Sequence, residues 1–352
     1  MTDAHIPATM RAWHVTTHAE PASALRLATL PVPKPGPGEV LVRVGAVAAN
    51  FPDVLLCRGE YQVRPELPFS PGIECSGTVA ALGAGAEGIA GAVGVAGAAG
   101  VAGAAGVSVG DRVVVSAIGV LAEYAVVQAD AIHRIPDALD DVRAAGLTIA
   151  YQTAWFALHR RAQLAAGEWL LVHAAAGGVG AAAVQLGVAA GARVIGVVGS
   201  EAKAQVARDA GASHVLLRSD DLVTEIKRIT GGRGADVVFD PVGGDAFDVS
   251  TRSVAFEGRI VVIGFASGTI PTLAMNRPLM RNYSVVGLYW GLYQSRAPHL
   301  VAEAHAELVR LFEAGTIAPV IDHTVPFDEA PAALTALATG NTVGRVVIAV
   351  AG

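Results

Sequence analysis

The sequence predicts an α/β protein: a doubly wound, six-stranded parallel sheet preceded by a mostly β domain. Three observations carry this. The 352 residues suffice for two domains with separate cores. Residues 169–288 alternate short β-branched runs with Ala-rich helical windows, as helices covering a parallel sheet require. Residues 11–147 instead carry short alternating runs broken by turn chemistry.

In chain order, Val40 to Val44, Gly77 to Ala81 and Arg112 to Val115 read as strands of the first domain, and the cluster from Pro31 to Gly38 reads as a turn. The six parallel strands are expected at Trp169 to His173, Ala192 to Val198, His214 to Leu217, Ala235 to Asp240, Gly258 to Phe265 and Tyr283 to Leu288. A helix at Ala181 to Ala190 follows the first of them. The tail adds a helix at His299 to Ala314 and a last run at Gly344 to Val350, which rejoins the first domain. The expected domains are therefore 1–148, 149–289 and a returning segment 290–352.

Composition excludes several function classes. Hydrophobic residues make up 53% and charged residues 16%, with 41 glycines and a net charge of −6. Part of the apolar excess is a repeat at 85–107, where glycine recurs at every third position from Gly85 to Gly106 and no charge lies between Gly88 and Val109. Gly and Ala drive little transfer into lipid and no Lys/Arg asymmetry flanks the stretch. A period of three turns the glycines around a helix, and no proline supports a collagen-like strand. A solvent-facing insertion is the expected form, with membrane contact as its alternative. The acidic balance, without a basic stripe, argues against nucleic acid as partner. Residues 1–10 lack a basic region followed by an apolar core, so a cytoplasmic location is the expectation. There, Cys57 and Cys75 are expected as free thiols.

The strongest motif follows the first parallel strand: Ala174-Ala175-Ala176-Gly177-Gly178-Val179-Gly180. A dinucleotide diphosphate at a helix N-terminus needs backbone N–H groups unobstructed by Cβ atoms, which these small residues permit. Ala174 replaces the first glycine of the usual fingerprint, and a tight packing turn is the competing reading. At the end of the second strand, where an acid would bind the ribose of NAD, stand Gly199 and Ser200. Lys203 and Arg218 follow as cations suited to a 2′-phosphate, unless they are ordinary surface residues. The absent acid and available cations favour NADPH over NADH.

Asn50-Phe51-Pro52-Asp53, Arg58-Gly59-Glu60-Tyr61, Pro71-Gly72-Ile73-Glu74, Gly110-Asp111-Arg112-Val113, Tyr151-Gln152-Thr153-Ala154, the 173–180 segment and Asp240-Pro241-Val242-Gly243-Gly244 together resemble a known family. It is the zinc-free quinone oxidoreductase (zeta-crystallin-like) branch of the medium-chain dehydrogenase/reductase superfamily. The similarity runs in order from about Met10 to the C-terminus, leaving out the repeat. It implies a GroES-like catalytic domain and a Rossmann domain, with hydride transfer from NADPH to a small-molecule quinone or other α,β-unsaturated carbonyl (enone). It further implies Asn50 and Tyr61 on the acceptor side and Tyr151 and Thr153 at the nicotinamide end; an aspartate placed as Asp53 is more often a loop brace than a proton donor. Gly264, Phe265 and Ala266, at the end of the fifth strand, would close over the nicotinamide ribose, and a homodimer would pair through Tyr283 to Leu288.

Zinc-dependent relatives need a thiolate or imidazole near the position of Asn50 and a histidine in a G-H-E motif. This chain has Asn50 and Ile73 there, neither a useful ligand, so no metal is expected. Two alternatives remain at this level: an enoyl-thioester or acrylate-type reductase on the same scaffold, and a non-catalytic NADPH-binding structural or sensor protein.

Overall fold

The computed structural model describes residues 6–88, 106–218, 221–340 and 342–350. The expected solvent-facing insertion falls mainly on residues 89–105, outside the described residues. The chain divides into two compact units, the first Met1–Ile149, Gln294–Glu313 and Ile321–Gly352, the second Ala150–Tyr293 and Ala314–Val320. The final segment is thus shared between them.

The second unit holds a six-stranded sheet of Trp169–His173, Arg193–Val198, His214–Leu217, Ala235–Asp240, Val254–Val262 and Ser284–Gly287. All five pairings are parallel. Counted along the chain, the strands lie in the order third, second, first, fourth, fifth, sixth. The order reverses between the first and fourth strands, both buried along their whole length, as strands covered on both faces must be. Ligands bind α/β sheets beyond the carboxyl ends of strands at such a reversal.

Two expectations in this unit need correction. The helix after the first strand begins at Gly178 rather than Ala181, because Gly177 already serves as its cap. The fifth strand runs Val254–Val262, so Gly264, Phe265 and Ala266 lie past its end and not within it. Its register against the fourth strand shifts between Ala235 and Val237. Glu257 takes a left-handed φ of 58° there, absorbing the extra residues that move the strand start to Val254.

The first unit is mostly β. Its larger sheet runs Ile321–Pro326, Arg345–Ala349, Glu39–Ala48, Cys75–Leu82, Arg112–Val115 and Ile132–Arg134, and Tyr124–Gln128 also pairs with Glu39–Ala48. A separate hairpin joins Thr9–Val15 to Leu25–Pro31. The C-terminal strand lies antiparallel to Glu39–Ala48 with Val347 opposite Ala48. That register carries Arg345, from the far end of the chain, towards Asn50. Helix Pro298–Glu313 places His305 on His133 of the sheet, the two buried rings stacked at 4.7 Å. Cys57 and Cys75 are free and buried. Among the described residues, no helix is long and apolar enough to cross a membrane.

Candidate functional site

In the second unit, strand Trp169–His173 runs into Ala174, whose φ of 51° is left-handed. The Gly177 N–H donates to the Ala174 carbonyl at 2.9 Å, closing a turn that aims the start of helix Gly178–Ala189 outward. A Cβ on Gly180 would collide with the Ala174 carbonyl oxygen and carbon, so that position must be glycine. The first-turn N–H groups of this helix have no partner within it. Gly177, Gly178 and Val179 are partly exposed, so the cradle fits a diphosphate.

Beyond the second strand, Gly199 and Ser200 are exposed. The Arg218 N–H holds the Val198 carbonyl at 2.8 Å, and Arg218 Nη2 lies 3.2 Å from where a Gly199 Cβ would stand. A side chain at 199 would crowd the guanidinium end of Arg218. Ser200 caps helix Glu201–Asp209, its Oγ accepting from the N–H of Lys203 at 3.4 Å. Lys203 is therefore a first-turn cation at the positive end of a helix, a position that favours an anion beside it.

A buried polar cluster lies under the turn. Ser250 Oγ donates to the Ala246 carbonyl at 2.8 Å and so accepts from His173 Nε2, 3.0 Å away. Burial pushes the His173 pKa down, keeping the ring neutral. Asp240 Oδ1 accepts the N–H groups of Val242 at 2.9 Å and Gly243 at 3.0 Å, while its buried Oδ2 has no partner. The Ala266 N–H donates to the Pro241 carbonyl at 3.0 Å, tying the loop of Gly264, Phe265 and Ala266 to the loop that Asp240 holds. Gly264 faces nothing nearer than the Pro241 carbonyl at 3.6 Å, so its backbone is open to close approach.

Tyr151 differs from expectation. It is buried, and its hydroxyl lies 2.8 Å from both Gln185 Oε1 and the Ala318 carbonyl. Burial pushes its pKa up. The phenol is thus a brace within the second unit and has no proton free for a reacting group. Thr153, two residues on in helix Asp141–Trp155, remains partly exposed.

In the first unit, Asn50 caps helix Phe51–Arg58, and Pro52 fits its first turn. Asp53 Oδ2 accepts the Asn50 N–H at 2.8 Å, and Oδ1 accepts the Gly72 N–H at 3.1 Å, so Asp53 braces the loop. Burial pushes its pKa up to about 7, against the downward pull of those two N–H groups and of Arg345.

The Asn50 carboxamide, expected to face the acceptor, is 4% exposed and turned inward. Its Nδ2 donates to the Ala48 carbonyl at 2.9 Å and to Glu74 Oε1 at 2.8 Å, and its Oδ1 accepts from Arg345 Nη1 at 2.8 Å. Arg345 Nη2 also pairs with Glu74 Oε1. Burial pushes the Arg345 pKa down to about 10, and its Nε is buried without a partner. Both amide protons of Asn50 are therefore spent on the protein. Tyr61 follows the helix in a bend, partly exposed.

Glu74 and Arg345 are the residues that sequence reasoning missed. Arg345 heads the apolar run Val346 to Val350, and a cation at the mouth of a buried strand calls for an acidic partner. That signal was available; the partner's identity, 271 residues away, was not. Among the described residues, no group of three or more His, Cys, Asp or Glu side chains is arranged to hold a metal ion.

Comparison with known proteins matches residues 36–137 to the family model for the alcohol dehydrogenase GroES-like domain and residues 178–307 to that for zinc-binding dehydrogenase. Mouse quinone oxidoreductase-like protein 2 is 36% identical over 312 residues, covering 88% of this chain and 83% of its own. Escherichia coli quinone oxidoreductase, solved complexed with NADPH, superposes with a TM-score of 0.86 at 29% identity, covering 97% of this chain and all of its own. A mycobacterial protein, also complexed with NADPH, gives 0.86 at 32% identity with the same coverage.

Proposed function

Because the chain belongs to the quinone oxidoreductase branch of the medium-chain dehydrogenase/reductase superfamily, we propose that it is an NADPH-dependent reductase of quinones or other α,β-unsaturated carbonyls, working without zinc. The observation that carries this reading is the cofactor cradle of the second unit: a turn that demands glycine at 180, followed by a strand end where the Arg218 guanidinium lies beside Gly199. Bound NADPH supplies the hydride. The N–H groups of Gly178, Val179 and Gly180 take the diphosphate, and Lys203 and Arg218 take the 2′-phosphate. Thr153 and the loop of Gly264, Phe265 and Ala266 hold the nicotinamide end. On the acceptor side, Tyr61 offers a hydroxyl, and Asn50 contributes through the loop it caps. Rate enhancement then rests on orientation and water exclusion. Zinc independence is supported by Asn50 and Ile73 at the positions where zinc-dependent relatives need sulfur or nitrogen ligands.

Steady-state NADPH oxidation with a panel of quinones and a panel of enones tests the reading. Turnover with at least one panel is expected; NADPH binding without turnover on either would sink it. Replacing Lys203 and Arg218 with alanine should raise KM for NADPH at least tenfold more than KM for NADH, since each charge-assisted phosphate contact is worth about 1.5–3 kcal/mol. Equal effects would count against a 2′-phosphate site.

We infer a homodimer built on the outermost strand of the second unit. Strand Ser284–Gly287 is a sheet edge, and helix Asn276–Arg281 beside it in sequence buries none of its residues. Leu279 is 74% and Met280 78% exposed on that helix, an apolar display that a partner subunit would cover, and pairing would protect the strand edge. Sedimentation of Leu279→Glu and Met280→Glu should shift mass from dimer towards monomer; a wild type already monomeric would refute the inference.

A further inference from the structure

Three donors from distant parts of the first unit converge on one carboxylate. Glu74, fully buried, takes Asn50 Nδ2 at 2.8 Å and Arg345 Nη2 on Oε1, and the Ile149 N–H at 2.6 Å on Oε2. Arg345 also grips Asn50 Oδ1, so Glu74, Asn50 and Arg345 form a closed triangle in which Asn50 has no free rotation. The third bond is unusual. Ile149 lies inside helix Asp141–Trp155, where an N–H ordinarily serves only the carbonyl four residues back, and here a buried carboxylate also accepts it. The division of the chain falls directly after Ile149, and the same helix continues to Tyr151 and Thr153.

The structure assigns Glu74 as a positioning residue for acceptor reduction, the one carboxylate that ties the Asn50 helix cap to the helix carrying Tyr151 and Thr153. The assignment rests on the reductase reading above. Glu74 touches neither acceptor nor cofactor and acts only by fixing the Asn50 loop and the helix that carries Thr153. Losing its charge would free the Asn50 amide, release the Ile149 N–H and leave Arg345 a buried cation without an anion, which is a cost of its own. A charge-balanced variant separates the two consequences: replacing both partners by neutral groups removes the stranded cation while the tie stays cut.

The experiment compares wild type, Glu74→Gln and the double variant Glu74→Gln/Arg345→Met. Glu74→Gln is expected to bind NADPH within about twofold of wild type yet lose about 100-fold in kcat, the scale of a misplacement near 1 Å. The double variant is expected to regain thermal stability and not kcat, and it carries the comparison should the single variant fail to fold. Exchange of the Ile149 amide proton is expected to accelerate in whichever variants fold. Recovery of kcat in the double variant would reduce Glu74 to a charge-balancing role and overturn the assignment. Unchanged Ile149 exchange would overturn it as well. A wild type that binds NADPH and reduces neither panel would refute the reductase reading itself, while the exchange measurement would still decide whether Glu74 makes the tie.

Discussion

The cofactor cradle of the second unit is made of backbone and of missing side chains. Gly180 is glycine because a Cβ has nowhere to go, Gly199 lies beside the Arg218 guanidinium without a side chain to crowd it, and a Cβ on Gly264 would meet nothing nearer than the Pro241 carbonyl. The Asn50 loop of the first unit is made of buried side chains spent on one another and on nearby backbone: Asn50, Glu74 and Arg345 bond in a triangle, Asp53 takes the N–H groups of Asn50 and Gly72, and of their buried polar atoms Arg345 Nε alone lacks a partner. A backbone site fails by steric intrusion and is indifferent to pH. A side-chain network fails by loss of charge and titrates. The two units should therefore break in different ways.

The largest effect is expected from intrusion into the cradle. Gly180→Val places its side chain against the Ala174 carbonyl, and overpacking of this kind costs about 1–3 kcal/mol with displacement of the backbone. NADPH affinity measured by fluorescence titration should fall beyond detection while the first unit keeps its structure. Retained affinity would mean that the turn is only a packing device.

Next in size are two opposed pH effects in the first unit. His305 is buried, neutral and bonded through Nε2 to the Arg134 carbonyl at 2.9 Å, and burial lowers its pKa from 6.5 to about 4. Its stabilisation is complete above pH 6.5 and is lost as pH falls towards 4. Asp53 is raised from 3.8 to about 7, so its contribution is complete below pH 3.8 and is lost as pH rises through 7. Between pH 4 and 6.5 the two slopes oppose, each on the order of 1 kcal/mol per pH unit. Relative to wild type, urea stability of His305→Gln should tilt downward with rising pH and that of Asp53→Asn upward. Parallel curves for all three proteins would show that neither group titrates as its burial demands.

The smallest effect returns to the cradle. Ala174 holds φ 51°, a region that costs a residue with a Cβ about 1 kcal/mol. Ala174→Gly should relieve that strain, offset partly by unfolded-state entropy, and raise stability by up to about 1 kcal/mol in thermal unfolding. A loss of stability would mean that the alanine methyl packs usefully.

The same contrast explains what was legible in the sequence. Parallel strands buried on both faces are near-continuous apolar runs, so Trp169–His173 and Ala235–Asp240 coincide with their expected bounds. The glycine turn is legible because steric necessity is local: Gly177, Gly178 and Gly180 announce it within one segment. The network around Glu74 is not local. Its bonds span 24, 75 and 271 residues, and only the antiparallel register of the C-terminal strand against Glu39–Ala48 brings Arg345 to Asn50. Asn50 was identifiable as important and its orientation was not, because a residue type says nothing about which neighbours use up its donors. Tyr151 fails as an expectation for the same reason: Gln185 and Ala318 claim its hydroxyl.

The most direct test of the account follows the hydride itself. NADPH carrying deuterium at the transferable position of C4 is mixed with wild-type protein and a simple enone, and the product is examined by mass spectrometry and NMR. One deuterium on the β-carbon of the saturated ketone is the predicted result; NADPH that stays bound and unoxidised, with no label in any product, would contradict it.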